Sequence, residues 1–420
     1  MNKIKSLITQ YRGLRREIYI LFIGRIVTNF GSMVWPVMTL IMSRKLGMDA
    51  KTIALFLIVC GLFQLPFNLI GGKLADIRNK KHIIVVCDSI SIVLFLIGAA
   101  LPISYATLVL ILIAATAQAM EGPSYEALLA DLSLTKDRER AYSLEYLGNN
   151  LGLMLAPTIA GLLFKRFLWL SFLLCGCSIA VSTLLIGLLI KDITPMEESG
   201  EDSVYQKAKE GSSIWQVLSG NKLILLYIFV MAMFWGAYNQ YGFLMPLDMG
   251  RVHGDDGAVI FGTVSSLNCI EVVLFTPILT KLLEKVRKTA KILLGIVFVI
   301  AGYAVFLQGL GILPMYYLAI FLFTLGEILV TTVSGAYLTE RIPASHRGRV
   351  NSFISVLSGI IIDVMQFGAG FLFDEFGSVS AWIMILGVLM ATLLGCIALL
   401  LIDRHVYRQL YIRREDESGT

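Results

Sequence analysis

The stretch GGKLADIRNKK, residues 71–81, lies directly between two long apolar runs. It combines two glycines, one aspartate and four cations within eleven residues. A short segment rich in Lys and Arg is typical of a loop on the cytoplasmic side of a membrane protein. That explanation accounts for the cations, but it leaves Asp76 and the paired glycines unexplained.

The composition around this stretch is that of a helical integral membrane protein. The chain has 420 residues, of which 57% are hydrophobic and 15% charged, and its mean hydropathy is +0.77. A soluble protein carries about 25% charged residues. The net charge of +5 lies in short loops, so we expect no nucleic-acid partner. All six cysteines lie inside apolar runs, which argues against a disulfide framework or a zinc site. We also expect no metal and no cofactor.

Twelve runs are long enough to span a bilayer, which takes about 20 mostly apolar residues. Their bounds are 18–42, 50–72, 82–101, 104–130, 141–164, 168–190, 221–248, 256–281, 289–308, 313–338, 349–373 and 379–402. The longest polar interruption divides them into six and six. We predict an all-α membrane protein with twelve transmembrane helices in two halves: an N-terminal bundle over 1–190, a cytoplasmic linker over 191–220, and a C-terminal bundle with a cytoplasmic tail over 221–420.

The distribution of cations predicts the orientation. Lys and Arg concentrate after runs 2, 4, 8, 10 and 12, whereas the loops after runs 3, 9 and 11 hold none. Under the positive-inside rule both termini are cytoplasmic, and we expect a multi-pass protein of the cell membrane. Arg44, Lys45 and Lys51, which follow run 1, depart from this pattern.

The two halves show an internal repeat. At a constant offset of 209 residues, the segment 127–144 aligns with 336–353, including two pairs of arginines. The same offset aligns Arg78 with Arg287. Shared apolar composition can match Leu and Phe by chance, but it does not readily match arginines in separate loops, so we infer a duplication.

Two six-helix halves joined by a long central loop resemble the major facilitator superfamily. Residues 71–81 resemble the signature of that family between its second and third helices, roughly G-x-L-A-D-R-x-G-R-[KR]. The matching residues are Gly72, Leu74, Ala75, Asp76, Lys80 and Lys81. Arg78 is displaced by one place, and Asn79 stands where a glycine is usual. The resemblance implies a latch at the cytoplasmic junction of the halves, formed by Gly72, Asp76 and Arg78 with Asp131 and Arg138.

A second signature, GNNLGLMLAPTIAG at residues 148–161, resembles that of the drug:proton antiporter branch. Gly148, Gly152, Pro157 and Gly161 stand in the expected places. The alternative explanation is close helix packing, which small residues permit in any membrane protein. The resemblance implies a pliable helix in which Gly152 and Pro157 serve gating.

Charged residues inside the runs point to function, because each costs about 2.5–3.5 kcal/mol to insert. Arg25, Glu121 and Glu145 fall at similar depth, so we predict that Arg25 pairs with Glu121 or Glu145. A purely structural ion pair is the alternative. Asp88 and Glu126 lie nearer the ends of their runs, and we attribute them to solvated or latch-associated charge.

The fourth run lacks the arginine that many drug antiporters of this superfamily carry there. Gln118 stands in its place, and we expect Arg25 to supply the positive charge instead. Asn29, also in the first run, is assigned to the same binding set.

Protons need carboxylates in this chain, because the four histidines fall in loops or at the ends of runs. Glu327, near the middle of the tenth run, is the first candidate, followed by Asp363 and Glu271. We expect Glu327 to have no partner. The alternative is that it only hydrogen-bonds a neighbouring helix.

The segment FWGAYNQYGFLMP, residues 234–246, places Trp235 and Tyr238 in the seventh run. Aromatic faces attract organic cations, although such residues also serve packing and the membrane interface. These residues predict a small-molecule site with an aromatic wall.

We therefore predict a monomeric secondary active transporter that moves a small amphipathic or cationic compound by alternating access, in proton-coupled efflux. A symporter or uniporter for a sugar, peptide or metabolite is the alternative, and a lipid-handling protein or sensor is a further one. The sequence holds no P-loop, HExxH or Ser–His pattern, so we expect no enzyme.

Overall fold

The computed structural model describes residues 12–133, 138–190, 221–339, 341–342 and 347–407, and these residues form helices and turns without a strand. The helices are α1 (Arg16–Gly31), α2 (Ala50–Ile77), α3 (Lys80–Ala100), α4 (Tyr105–Leu132), α5 (Arg138–Leu153), α6 (Ala156–Phe164), α7 (Leu168–Leu189), α8 (Lys222–Tyr238), α9 (Leu244–His253), α10 (Asp256–Leu282), α11 (Lys288–Gln308), α12 (Leu313–Thr339), α13 (Arg347–Phe376) and α14 (Ser378–Val406).

Eleven spans within the described residues are long and apolar enough to cross a membrane. The protein is a multi-pass membrane protein. The predicted first run does not reach that length, because α1 ends at Gly31 and helix resumes only at Met38. Pro36 lies in the intervening turn. Proline lacks an N–H donor and disfavours helix in the residue before it, which explains the break.

Two other predicted runs are also interrupted. The fifth run divides into α5 and α6, with Pro157 in the first turn of α6. The seventh divides into α8 and α9, with the 3-10 turn Asn239–Gly242 between them. Both breaks release backbone groups from the regular helical hydrogen-bond pattern at membrane depth.

The described helices group into two compact units. The first unit comprises Met1–Ser199 and Pro246–Val273, and the second comprises Gly200–Met245 and Leu274–Thr420. The predicted division put all of 221–420 in one bundle, whereas the segment Pro246–Val273 packs with the first unit. The linker 191–220 itself lies outside the described residues, so its role stays a prediction.

Glycines fix the packing of the first unit. A Cβ added at Gly152 of α5 would lie 2.6 Å from the Ile26 carbonyl oxygen of α1. A Cβ added at Gly161 of α6 would lie 2.4 Å from the Ala258 carbonyl oxygen of α10. Only glycine allows such backbone approach. The 148–161 signature therefore acts at least through close helix packing, which was the alternative explanation.

The opening stretch 71–81 is mostly helix. Residues 71–77 complete α2, and Asn79 caps α3 by accepting a hydrogen bond from the His82 backbone N–H at 3.3 Å. An added Cβ at Gly71 would lie 2.1 Å from the Met120 carbonyl oxygen, whereas one at Gly72 meets no described atom within 4 Å. The glycine that this packing requires is therefore Gly71, not the Gly72 of the matched signature.

Two of the three cations that depart from the charge pattern pair with one carboxylate. Arg44 and Lys45 lie 3.6 Å and 3.2 Å from the Asp255 carboxylate, and the ammonium of Lys45 also lies over the Phe164 ring. Asp255 belongs to the segment that packs with the first unit. These two cations thus hold that segment in place.

The second unit has an aromatic core and a buried ion pair. The Trp382 ring lies 5.0 Å from Tyr303 and 5.1 Å from Phe306. The Arg341 guanidinium donates to both carboxylate oxygens of Asp403, at 3.0 Å and 2.9 Å. The Arg341 side chain is 3% exposed and that of Asp403 is fully buried.

Neighbouring groups satisfy this Arg341–Asp403 pair. The Tyr337 hydroxyl donates to Asp403 at 2.7 Å, and the Tyr407 ring lies 5.1 Å from the guanidinium. The Asn221 amide donates to the Tyr407 hydroxyl. The pair therefore joins the start of α8, the end of α12 and the end of α14.

Candidate functional site

A polar cavity of about 180 Å³ lies within the first unit, between α1, α3, α4 and α7. Its lining includes four residues predicted for the site, which are Arg25, Asn29, Gln118 and Glu121. Asp88 also lines it. Three helices of one unit, α1, α3 and α4, thus direct charged and amide side chains into one space.

Arg25 is paired with Glu145. Its guanidinium donates to the carboxylate at 2.9 Å and lies 3.9 Å from the centre of the Tyr125 ring. The Tyr125 hydroxyl donates to the Leu21 carbonyl at 3.1 Å, which holds the ring in place. The predicted salt bridge is confirmed, with Glu145 rather than Glu121 as the partner.

Asp88 and Glu121 form a second group in the same cavity. Their carboxyl groups line this cavity together and interact electrostatically, and the Thr183 hydroxyl donates to Asp88 at 2.6 Å. Asp88 is only 6% exposed. The expectation of a solvated or latch-associated charge at Asp88 was wrong, because α7 and α4 cover it.

Asp88 and Glu121 can share one proton between their carboxyl groups. Two ionised carboxylates are both acceptors, so they hydrogen-bond only when one of them is protonated. The proton belongs to the pair rather than to either residue. Beside the Arg25–Glu145 ion pair, a carboxyl pair that shares one proton keeps one negative charge. A second proton or one monovalent cation neutralises it.

Hydrogen bonds between helices position these groups. The Asn29 amide of α1 donates to the Asn149 side chain of α5 at 2.7 Å. The Ser91 hydroxyl of α3 lies 3.3 Å from the Ala114 carbonyl of α4. These bonds fix the rotation of the helices that carry Arg25 and the carboxyl pair, and they assign Asn29 a positioning role.

Glu327 lies in the second unit within an aromatic cluster. The Tyr238 hydroxyl donates to its carboxylate at 2.9 Å. The Tyr238 ring stacks on Phe323 at 5.1 Å and meets Trp235 edge-on at 5.1 Å. The expectation of a carboxylate without a partner was wrong, because α8 brings Tyr238 to it. A tyrosine is a neutral donor, so this bond orients the carboxylate without neutralising it.

The other predicted proton candidates lie elsewhere. Glu271 is on α10 and is 4% exposed, in the segment that packs with the first unit. Asp363 is half-buried on α13 in the second unit. The described contacts give neither residue a part in the cavity of the first unit.

The predicted latch is only partly described. The Asp131 carboxylate lies 2.8 Å from the Lys80 ammonium, and Arg78 is exposed in the turn between α2 and α3. The side chains of Asp76 and Arg138 lie outside the described residues. Asp131 was expected near Arg78 or Arg138, and its described partner is instead the lysine that begins α3.

Comparisons with known proteins identify relatives of the whole fold. The family profile described as Major Facilitator Superfamily matches residues 20–362. A curated relative from Planococcus maritimus, a "Na(+), Li(+), K(+)/H(+) antiporter", is 22% identical over 371 residues, which cover 80% of this chain and 84% of the relative.

Solved transporters share the fold. A peptide transporter POT in complex with sulfate has a TM-score of 0.76 at 17% identity, covering 94% of this chain and 96% of its own. The nucleoside transporter NupG has a TM-score of 0.69 at 14% identity, covering 92% and 99%.

Proposed function

Because the chain belongs to the major facilitator superfamily, we propose that this membrane transporter is a proton-coupled antiporter that exports a cationic compound by alternating access. The observation that carries the proposal is the carboxyl pair Asp88–Glu121 beside the Arg25–Glu145 ion pair. A site with one net negative charge binds either a proton or a cation, and binding of one weakens binding of the other.

The exchange follows from this competition. A proton that enters the pair from the more acidic side neutralises it and displaces the cation. Loss of that proton on the other side restores the negative charge, and a new cation binds. Each cycle moves a proton and a cation in opposite directions, since one site cannot hold both.

Two observations bear on the substrate. The aromatic cluster around Glu327 favours an amphipathic organic cation, because aromatic faces and a carboxylate both attract such ions. The carboxyl oxygens of Asp88 and Glu121 are ligands of a type that also binds an alkali cation. An alkali cation is the second candidate substrate, because the Planococcus maritimus relative is named an antiporter of Na(+), Li(+) and K(+).

The charge pattern and the two signatures support proposals for the location of the protein and for its gating. We place the chain in the cell membrane as a monomer with both termini cytoplasmic. Gly72, Asp76, Arg78, Asp131 and Arg138 form the proposed latch that biases the conformational equilibrium. Gly152 and Pro157 serve gating through the break between α5 and α6.

Flux in proteoliposomes tests the proposal directly. We expect a pH gradient, imposed without a membrane potential, to drive uptake of an organic cation such as ethidium toward the acidic side. The same vesicles loaded with Na⁺ or K⁺ test the alkali cation, with a pH-sensitive dye reporting proton movement.

The controls separate the alternatives. Protein-free liposomes and an equal pH on both sides give the background rate. A substrate that moves with the proton rather than against it would indicate a symporter. Flux that ignores the pH gradient would indicate a uniporter, and either result would contradict the antiporter.

Glu327→Gln separates substrate recognition from proton coupling. We expect the affinity for an organic cation to fall by about tenfold, because loss of the carboxylate removes a charge-assisted contact of about 1.5–3 kcal/mol. A pH dependence of the remaining flux is expected to persist, since the Asp88–Glu121 pair is intact. Equilibrium binding of the cation and flux against pH are the measurements.

Tyr238→Phe is the matched control. It removes the hydroxyl that orients Glu327 but keeps the ring, so we expect a smaller loss of affinity than in Glu327→Gln. Loss of pH-driven flux in Glu327→Gln with unchanged affinity would instead identify Glu327 as the proton carrier.

A further inference from the structure

A groove of about 660 Å³ runs between α3 and α7 on the first unit, apart from the polar cavity. Its volume lies in the range of sites for small molecules, about 300–1,000 Å³. The walls are mainly apolar and include Val85, Ile92 and Leu184. Its polar end is formed by Lys81 and His82, together with the cap residue Asn79.

We propose that this groove binds one anionic phospholipid, with an acyl chain along α3 and α7 and the phosphate at Lys81 and His82. The groove faces outward, since Leu184 is 59% and Leu188 is 78% exposed. In a membrane-spanning unit, apolar side chains exposed to this extent are surrounded by lipid rather than by water.

The length of the groove matches one leaflet. Lys81 and Ile92 are eleven residues apart on α3, which is about 16 Å at a rise of about 1.5 Å per residue. Half of the hydrocarbon core of a bilayer is about 15 Å thick. A lipid whose headgroup lies at Lys81 therefore ends its chain near Ile92, at the bilayer midplane.

The polar end of the groove is suited to a phosphate. The Lys81 ammonium donates to the Ile190 carbonyl at 2.7 Å, which fixes it at the end of α7 and uses one of its three N–H donors. His82 is exposed beside it in the first turn of α3. The positive end of the helix dipole adds to both side chains.

The groove is wide at Gly187 because glycine has no side chain. Gly187 lines it, and a Cβ added there would lie 3.7 Å from Val85, an ordinary van der Waals distance. A large side chain at 187 therefore fills the groove without forcing α3 and α7 apart.

The groove is adjacent to the Asp88–Glu121 carboxyl pair. Thr183 lines the groove and donates its hydroxyl to Asp88 at 2.6 Å. A lipid chain in the groove covers the outer side of this hydrogen bond. The lipid site is inferred from the geometry of the groove alone, so it does not depend on the proposed antiport.

Native mass spectrometry of the full chain in detergent tests the site with 1-palmitoyl-2-oleoyl phosphatidylglycerol as the probe. We expect the wild type to retain one lipid in preference to phosphatidylcholine of the same chains. Gly187→Phe is expected to abolish that retention. Lys81→Gln is expected to weaken it by about fivefold, as for one cation near an anionic headgroup.

Gly387→Phe is the matched control, because Gly387 lies on α14 and a Cβ there would meet no described atom within 4 Å. It adds the same side chain at an open helical position and is expected to leave lipid retention unchanged. Equal retention in Gly187→Phe and Gly387→Phe would overturn the proposal. Equal retention of the two lipids, or displacement of the lipid by inorganic phosphate, would also overturn it.

Discussion

The double variant Asp88→Asn/Glu121→Gln is expected to lose pH-driven flux almost completely, by about two orders of magnitude or more. Both substitutions imitate the protonated form, so the pair can neither release a proton nor regain a negative charge. The cation then meets a site without net charge, and the one charge-assisted contact that is lost is worth about 1.5–3 kcal/mol.

We expect cation binding to depend on pH in the wild type but not in the double variant. In the wild type, protonation of the pair opposes the cation, so binding weakens as the pH falls. In the double variant binding is weak at every pH, because there is no proton left to compete. Isothermal titration of the cation between acidic and alkaline pH measures both slopes.

Glu375→Gln is the control for removal of an acidic residue, because Glu375 is exposed near the end of α13. It is expected to retain wild-type flux and pH dependence. A double variant at Asp88 and Glu121 that still drives the cation against a pH gradient would show that the pair is not the proton site.

Arg25→Met is expected to destabilise the protein and stop transport. It leaves the Glu145 carboxylate, with a side chain only 10% exposed, without its partner. Breaking a buried ion pair costs about 3–5 kcal/mol, and the lower end applies here because the Arg25 side chain is 25% exposed. The midpoint of thermal unfolding, followed by size-exclusion fluorescence, reports the loss.

The double variant Arg25→Met/Glu145→Leu separates structure from function. Replacing both charges with apolar groups removes the stranded charge, so we expect stability to return. Transport is expected to stay absent, since the positive charge beside Asp88 and Glu121 is lost. Transport that recovers together with stability would make the pair purely structural.

The sequence was sufficient for the membrane fold because apolar length and loop cations are local features. It was not sufficient to locate the helix breaks, because tertiary packing determines where a break is tolerated. Pro36 and Pro157 lie at two of these breaks. The division at the linker stays a prediction, because it follows chain order, whereas the grouping of 246–273 with the first unit follows contacts in three dimensions.

The candidate site was predicted in part for the same reason. Arg25 and Glu145 were recognised because an ionised group within an apolar run needs a partner. Asp88 was flagged as a charge but not as a site residue, since its contact with Glu121 depends on how α3 and α4 are rotated. One sequence alone does not determine that rotation. Thr183 carried no signal, because threonine is common in membrane helices.

Glu327 and Tyr238 show the same limit. Both were selected from the sequence, one as a mid-membrane carboxylate and one for its aromatic ring. Their hydrogen bond joins residues 89 positions apart, which no local pattern predicts.

The buried pair Arg341–Asp403 has a consequence for how the chain is made. Arg341 follows α12, and its carboxylate partner lies 62 residues later, near the end of α14. During synthesis the ribosome completes α12 well before Asp403 exists, so the guanidinium cannot form this ion pair until α14 has been made. We infer that the second unit locks only when its final helix has been inserted. A chain that ends before Asp403 therefore leaves the end of α12 without the carboxylate that its guanidinium contacts.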